Sequence, residues 1–128
     1  MTGTAVVPAC RHAGRCGGCQ WQHVPYAAQL SRKREVLDAL LRAATPAMPP
    51  VTPVVAMPVG DDGMPWHFRH KSAFVFGPGP GGRGLVMGHY AIGGREIVPV
   101  EECPVQSERA NRIAFRLRAE LVKARGSA

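Results

Sequence analysis

Cys10, Cys16 and Cys19 fall within ten residues, with five residues between the first two and two between the last pair, and they use three of the chain's four cysteines. The fourth, Cys103, comes far downstream and is followed by Pro104. Thiols crowded in this way need a common purpose, and Gly17 and Gly18 between the last pair suggest a backbone free to turn both sulfurs toward one centre. Zinc sites draw their ligands as two short pairs, whereas iron-sulfur clusters often take three close cysteines and a remote one, in some runs followed by proline. The spacing here matches the second pattern, so a [4Fe-4S] cluster on Cys10, Cys16, Cys19 and Cys103 is the first expectation. A zinc site with His12 or His23 as a substitute ligand, and a pair of disulfides, stay open beside it.

Such a link would join residue 10 to residue 103 and close most of the chain into one loop. Large aliphatic and aromatic side chains are few, alanine and valine supplying much of the 45% hydrophobic content, so the core should be thin and metal loss should weaken the fold as well as the site. No apolar run approaches the length of a membrane span, and the first nine residues show no basic start followed by a hydrophobic stretch. The expected location is the cytoplasm, with no membrane partner. A net charge of +7 gives a positive field suited to phosphate backbones, without naming a particular partner.

Local patterns predict an α+β chain. Pro25 to Ala44 has apolar residues at three- and four-residue intervals (Tyr26, Leu30, Leu37, Leu40, Leu41), predicting a helix whose apolar face packs on the domain. Arg32, Lys33 and Arg34 lie on it, more plausibly as a solvated face than as a phosphate contact. A proline-rich connector runs from Thr45 to Pro58, with a short strand at Pro53 to Ala56, and Asp61-Asp62-Gly63 forms a turn. Alternation predicts strands over Trp66 to Phe76, Leu85 to Tyr90 and Glu96 to Val100, which make a small antiparallel sheet and return Cys103 to the other thiols. Gly77 to Gly84 resembles a dinucleotide loop in its glycine spacing. It contains two prolines and leads into a strand, so it reads as a hairpin tip. Ser107 reads as the N-cap of a last helix, with Ala110, Ile113, Ala114, Leu117 and Leu121 at helical spacing and Arg109, Arg112, Arg116 and Arg118 on the polar side. The expected organisation is a cluster loop over 1–24, a helix over 25–45, a central antiparallel domain over 46–104 and a helix over 105–128. Trp21, beside the thiols, is expected to cover the metal site.

Several motifs together resemble one family: Cys10-x5-Cys16-Gly-Gly-Cys19 with Gln22 and His23; Tyr26, Gln29 and Lys33; Phe68-Arg69-His70-Lys71; Gly88-His89-Tyr90; and Glu101-Glu102-Cys103-Pro104-Val105-Gln106. The family is the iron-sulfur-containing, S-adenosylmethionine-dependent RNA uracil-C5 methyltransferases that act on 23S ribosomal RNA, and the likeness covers nearly the whole chain. It implies that the four cysteines hold a [4Fe-4S] cluster with a structural and RNA-organising role. The partner is then structured RNA, 23S ribosomal RNA above all, met by Arg69, Lys71 and, on the last helix, Arg112 and Arg116. The family commonly has asparagine where this chain has His70.

The same resemblance implies what lies elsewhere. The family's reaction uses a cysteine that adds to C6 of uracil, a carboxylate that later removes the C5 proton, and a Rossmann-like domain that binds S-adenosylmethionine. With only four cysteines and no strand, glycine loop and helix unit for that cofactor, the chain is expected to be the cluster and central region of such an enzyme, ending at the helix that leads to the catalytic half, and inactive alone. The alternative is a free-standing [4Fe-4S] RNA-binding module without methyltransferase activity. An electron carrier is a third reading, for which a basic surface gives no reason.

Overall fold

The computed structural model describes residues 6–126. The chain is α+β: helix α1 (Tyr26–Ala44), strands β1 (Val75–Pro78), β2 (Leu85–Tyr90) and β3 (Ile97–Pro99), and helix α2 (Glu108–Gly126). It divides into two compact units, one holding residues 23–65 with the start of the described chain and the other holding 8–22 and 66–126. No helix of the described residues is long and apolar enough to cross a membrane.

In the first unit, α1 begins directly after Pro25, whose fixed φ suits a helix start. It ends at Ala44, where the Thr45 N–H donates to the Leu41 carbonyl at 2.8 Å. The predicted span is therefore right, but its apolar face is not enclosed: no residue of α1 is buried, and Leu40 is 65% exposed. The unit is held instead by polar staples along the connector. Val51 donates its N–H to Asp38 and accepts from Arg34 Nε, at 2.9 and 2.8 Å, and the Met57 N–H donates to the Tyr26 hydroxyl at 2.9 Å. These contacts run the connector back along the helix from its middle to its first residue. No strand forms at Pro53 to Ala56, a correction to the sequence reading. A segment interrupted by prolines lacks the N–H donors of a ladder. The Asp61–Gly63 turn does form, with Gly63 at φ 71° and the Met64 N–H on Asp62 Oδ1 at 3.0 Å.

The second unit is built on the three-stranded antiparallel sheet in the order β1-β2-β3. Phe76 stands opposite Met87 and His89 opposite Val98. The loop between β1 and β2 is a hairpin tip, as its prolines predicted, with Gly81, Gly82 and Gly84 at positive φ. Buried apolar residues of this unit are Met87 and Val98 on the sheet and Val100, Cys103 and Val105 just after it, joined by Cys16. The core is thin and lies around two of the four thiols.

The predicted first strand is mostly a different structure. Only Val75–Pro78 joins the sheet, and the residues before it pair with the chain that follows Cys103. The N–H groups of His67 and Arg69 donate to the carbonyls of Pro104 and Val105 at 2.8 and 2.9 Å, and the Ser107 N–H donates to the Arg69 carbonyl at 2.9 Å. His67 takes φ 55°, costly for a residue with a Cβ, and its ring offsets this with a hydrogen bond between Nδ1 and the Gln106 carbonyl at 2.9 Å. Alternation in sequence does not distinguish a sheet partner from this one.

Ser107 caps α2 as predicted, its hydroxyl accepting the Ala110 N–H at 3.2 Å. The face that packs differs from the one expected. Phe115 meets Phe74 edge-on at 5.7 Å, Asn111 reaches the Cys103 carbonyl, and Arg118 reaches the Val100 carbonyl. Ile113 and Leu117 are left 60% and 51% exposed. The hydrogen bonds from Asn111 and Arg118 rotate the helix onto a partly polar face, which a count of apolar residues cannot anticipate.

Candidate metal centre

The cysteine loop is hung on the sheet through its backbone. The Gly17 N–H donates to the Tyr90 carbonyl at 2.8 Å and the Ile92 N–H to the Arg15 carbonyl at 2.9 Å, so Cys16 bridges to Ala91 at the end of β2. Cys103 arrives from the other side, shortly after β3. Its carbonyl is held by the Asn111 amide at 2.9 Å and by the Gln106 N–H at 3.1 Å. Exposed ion pairs from Arg11 to Glu101 and Glu102, at 3.4 and 3.8 Å, tie the two segments again, though such pairs contribute little individually.

These supports bring Cys10, Cys16, Cys19 and Cys103 to the wall of one cavity of about 240 Å³. All four are free thiols. Among the described residues no three His, Cys, Asp or Glu side chains stand close enough to hold a single metal ion. His12 lines the cavity, whereas His23 is exposed in the first unit. Burial pushes the Cys16 and Cys103 thiols up, and the neighbouring Cys19 and Cys10 sulfurs push the same way. Main-chain N–H groups oppose the shift: Gly18 at Cys16, Gln106 and Val105 at Cys103. A thiolate formed here already has donors aimed at it.

Gly17 and Gly18 serve for a reason other than the one expected. Neither has a positive φ. A Cβ on Gly17 would stand 2.8 Å from the Tyr90 carbonyl oxygen, and one on Gly18 would stand 3.4 Å from Cys16 Sγ and 3.6 Å from the His89 ring. What glycine supplies is close approach of the loop to β2. His89 also stacks on Phe74, with ring centroids 4.9 Å apart. Burial and the nearby Arg69 charge hold its pKa below the ordinary value.

Trp21 is half-buried and does not line the cavity, whereas its neighbour Gln22 does, only 8% exposed. Gln22 Oε1 and His12 Nε2 are both buried with no hydrogen-bond partner. Unpaired polar atoms in a cavity wall are expensive to bury, and both lie on the wall that the thiols share. Asn111 escaped the sequence reading, and His89 and Gln22 were named there only within motifs, with no role at this cavity. Gln22 carried one signal, its place three residues after Cys19.

Of the cations expected to meet RNA, Arg69 lines this cavity and Lys71 is exposed two residues on. Arg112 and Arg116 are exposed on α2, paired with Glu108 and Glu120 at 3.8 and 3.2 Å, each one helical turn away. His70 is exposed.

No family model matches the chain. Relatives are found by direct comparison. A protein of Gloeobacter violaceus named as an uncharacterized RNA methyltransferase is 40% identical over 118 residues, 91% of this chain and 24% of that protein. One of Nostoc with the same description is 35% identical over 117 residues, covering 89% and 24%. The 23S rRNA (uracil(1939)-C(5))-methyltransferase RlmD of Shewanella denitrificans is 32% identical over 102 residues, covering 78% and 21%. The chain is thus similar over most of its length to proteins named RNA methyltransferases, and it spans about a quarter of their length.

Proposed function

We propose that the chain is the cluster-bearing, RNA-contacting part of an S-adenosylmethionine-dependent RNA uracil-C5 methyltransferase acting on 23S ribosomal RNA, with Cys10, Cys16, Cys19 and Cys103 as ligands of a [4Fe-4S] cluster. The observation that carries this reading is the convergence of all four cysteines on one cavity in a chain 40% identical over 118 residues to a protein named as an uncharacterized RNA methyltransferase. The donor set fits the group. Three cysteines close in sequence and a remote one followed by Pro104, all four lining one cavity, match the ligand spacing of iron-sulfur clusters better than the two short pairs of zinc sites.

Bound there, the cluster would supply four iron-thiolate bonds that join the loop at residues 10–19 to Cys103. The chain's own groups prepare for it. Gly18, Val105 and Gln106 offer N–H groups to the sulfurs, and the Asn111 amide holds the Cys103 backbone in place. Arg69 sets a positive charge at the cavity wall, where an RNA phosphate would lie beside the centre. Every cysteine of the chain lines the cavity, so with all four as cluster ligands the thiol that adds to uracil C6 would come from another part of the enzyme.

Anaerobic reconstitution with iron and sulfide tests the centre. About four irons and four sulfides per chain, with broad visible absorbance, is the expected result. A single metal per chain, or preferential retention of zinc, overturns it. RNA affinity that falls with rising salt, together with no methyl transfer by this chain alone, completes the test.

A further inference from the structure

The thiol cavity holds polar atoms that the four cysteines and the N–H groups aimed at them do not account for. Gln22 lines it, is only 8% exposed, and has its Oε1 buried with no hydrogen-bond partner. His12 lines the same cavity, and its Nε2 is a second buried atom without a partner. Nothing in the packed chain offsets this burial at Gln22. A methionine would fill nearly the same space with no amide to leave unpaired, so a glutamine here calls for a partner inside the cavity.

We propose that the Gln22 side-chain amide donates a hydrogen bond to a sulfur of the cluster. The inference rests on the cluster reading above and adds to it a residue that binds no iron. Four thiolates around an iron-sulfide core carry a net negative charge, which repels a carbonyl oxygen and attracts an amide N–H. The last torsion of glutamine is broad and two-fold, and no hydrogen bond holds Oε1 where it is. Half a revolution therefore presents the amide nitrogen to the sulfur. The place in the chain suits this role. Gln22 follows Cys19 by three residues and is the last residue of the sheet unit before the chain enters the helical one, so the bond fastens the exit of the cysteine loop to the centre. It also sets the centre's electronics, because a donor to a cluster sulfur favours the more negative, reduced state and raises the reduction potential.

The test compares the reconstituted chain with two variants: Gln22→Met, close in volume but without a donor, and Gln22→Glu, equal in length and an acceptor only when ionised. With about four irons per chain, both variants should have a lower reduction potential than the unaltered chain, and Gln22→Glu the lower of the two. In Gln22→Met the Fe–S stretching bands of the resonance Raman spectrum should also move less on exchange into heavy water, since one exchangeable donor is gone. A role in packing alone would move neither readout. A variant with its full iron content, an unchanged potential and an unchanged heavy-water shift would therefore overturn the proposal and leave the cluster reading standing. If one variant assembles no centre, the other decides. No cluster on the unaltered chain overturns both readings.

Discussion

The two units treat their apolar residues in opposite ways. In α1, Val36, Leu37 and Leu40 are all about half exposed or more, and the connector is fastened to the helix by hydrogen bonds at Val51 and Met57. In the sheet unit, Met87, Val98, Val100 and Val105 are buried together with Cys16 and Cys103. The difference teaches where the chain's small apolar content is used. Apart from Met64 in the helical unit, the buried apolar side chains surround the thiols, so the sheet unit and its candidate metal centre should stand or fall together, while the helical unit rests on local helix formation and a few polar contacts.

The largest expected effect comes from Cys103→Ser. Iron content should fall sharply, and amide-exchange protection across β1, β2 and β3 should be lost while that of α1 persists. Equal loss in α1 would break the contrast, since it would make both units depend on the centre. Gly17→Val comes next. Its Cβ would press on the Tyr90 carbonyl, destabilising the sheet unit by about 1–3 kcal/mol, and denaturant unfolding of the reconstituted chain reads this directly. An unchanged midpoint would mean that the loop is not seated on β2.

Asn111→Ala should cost about 1 kcal/mol by removing the amide that holds the Cys103 carbonyl, and should slow cluster assembly measured by the rise in visible absorbance. His89 gives a pH dependence to the sheet unit alone. Its folded pKa is lowered, so the unfolded state binds the extra proton first. Stability is full above the ordinary histidine pKa and declines as pH falls below about 6.5. His89→Phe, which keeps a ring against Phe74, should flatten that decline. The smallest effect is expected in the helical unit. Asp38 is held below the usual carboxylate range by the Val51 N–H and by Arg42, so its contribution is present at neutral pH and lost only as strong acid protonates it. Because asparagine keeps an oxygen to accept the Val51 N–H, Asp38→Asn should barely move the neutral-pH unfolding midpoint. A large shift would show that the staples carry more than their exposure suggests.

The sequence by itself determined what depends on neighbours within a few residues. The span of α1, strand β2 from Leu85 to Tyr90, the hairpin tip, the Asp61–Gly63 turn and the Ser107 cap all follow from local spacing, from proline and glycine, and from capping chemistry, which act over a turn or a pair of residues. The gathering of the four cysteines at one cavity was legible too, because cysteine spacing is a local signal and only Cys103 had to be brought in by the strands before it. Tertiary structure alone decided the rest. Whether Trp66 to Phe74 would join the sheet or lie along the chain after Cys103, and which face of α2 would turn inward, depended on partners many residues away. Hydrogen bonds from His67, Asn111 and Arg118 chose among arrangements that alternation and periodicity leave equally open. Gly17 shows the same division within one residue. Its presence between the cysteines is written in the sequence, but its reason, a carbonyl of β2 where a side chain would stand, exists only once the loop and the sheet have met.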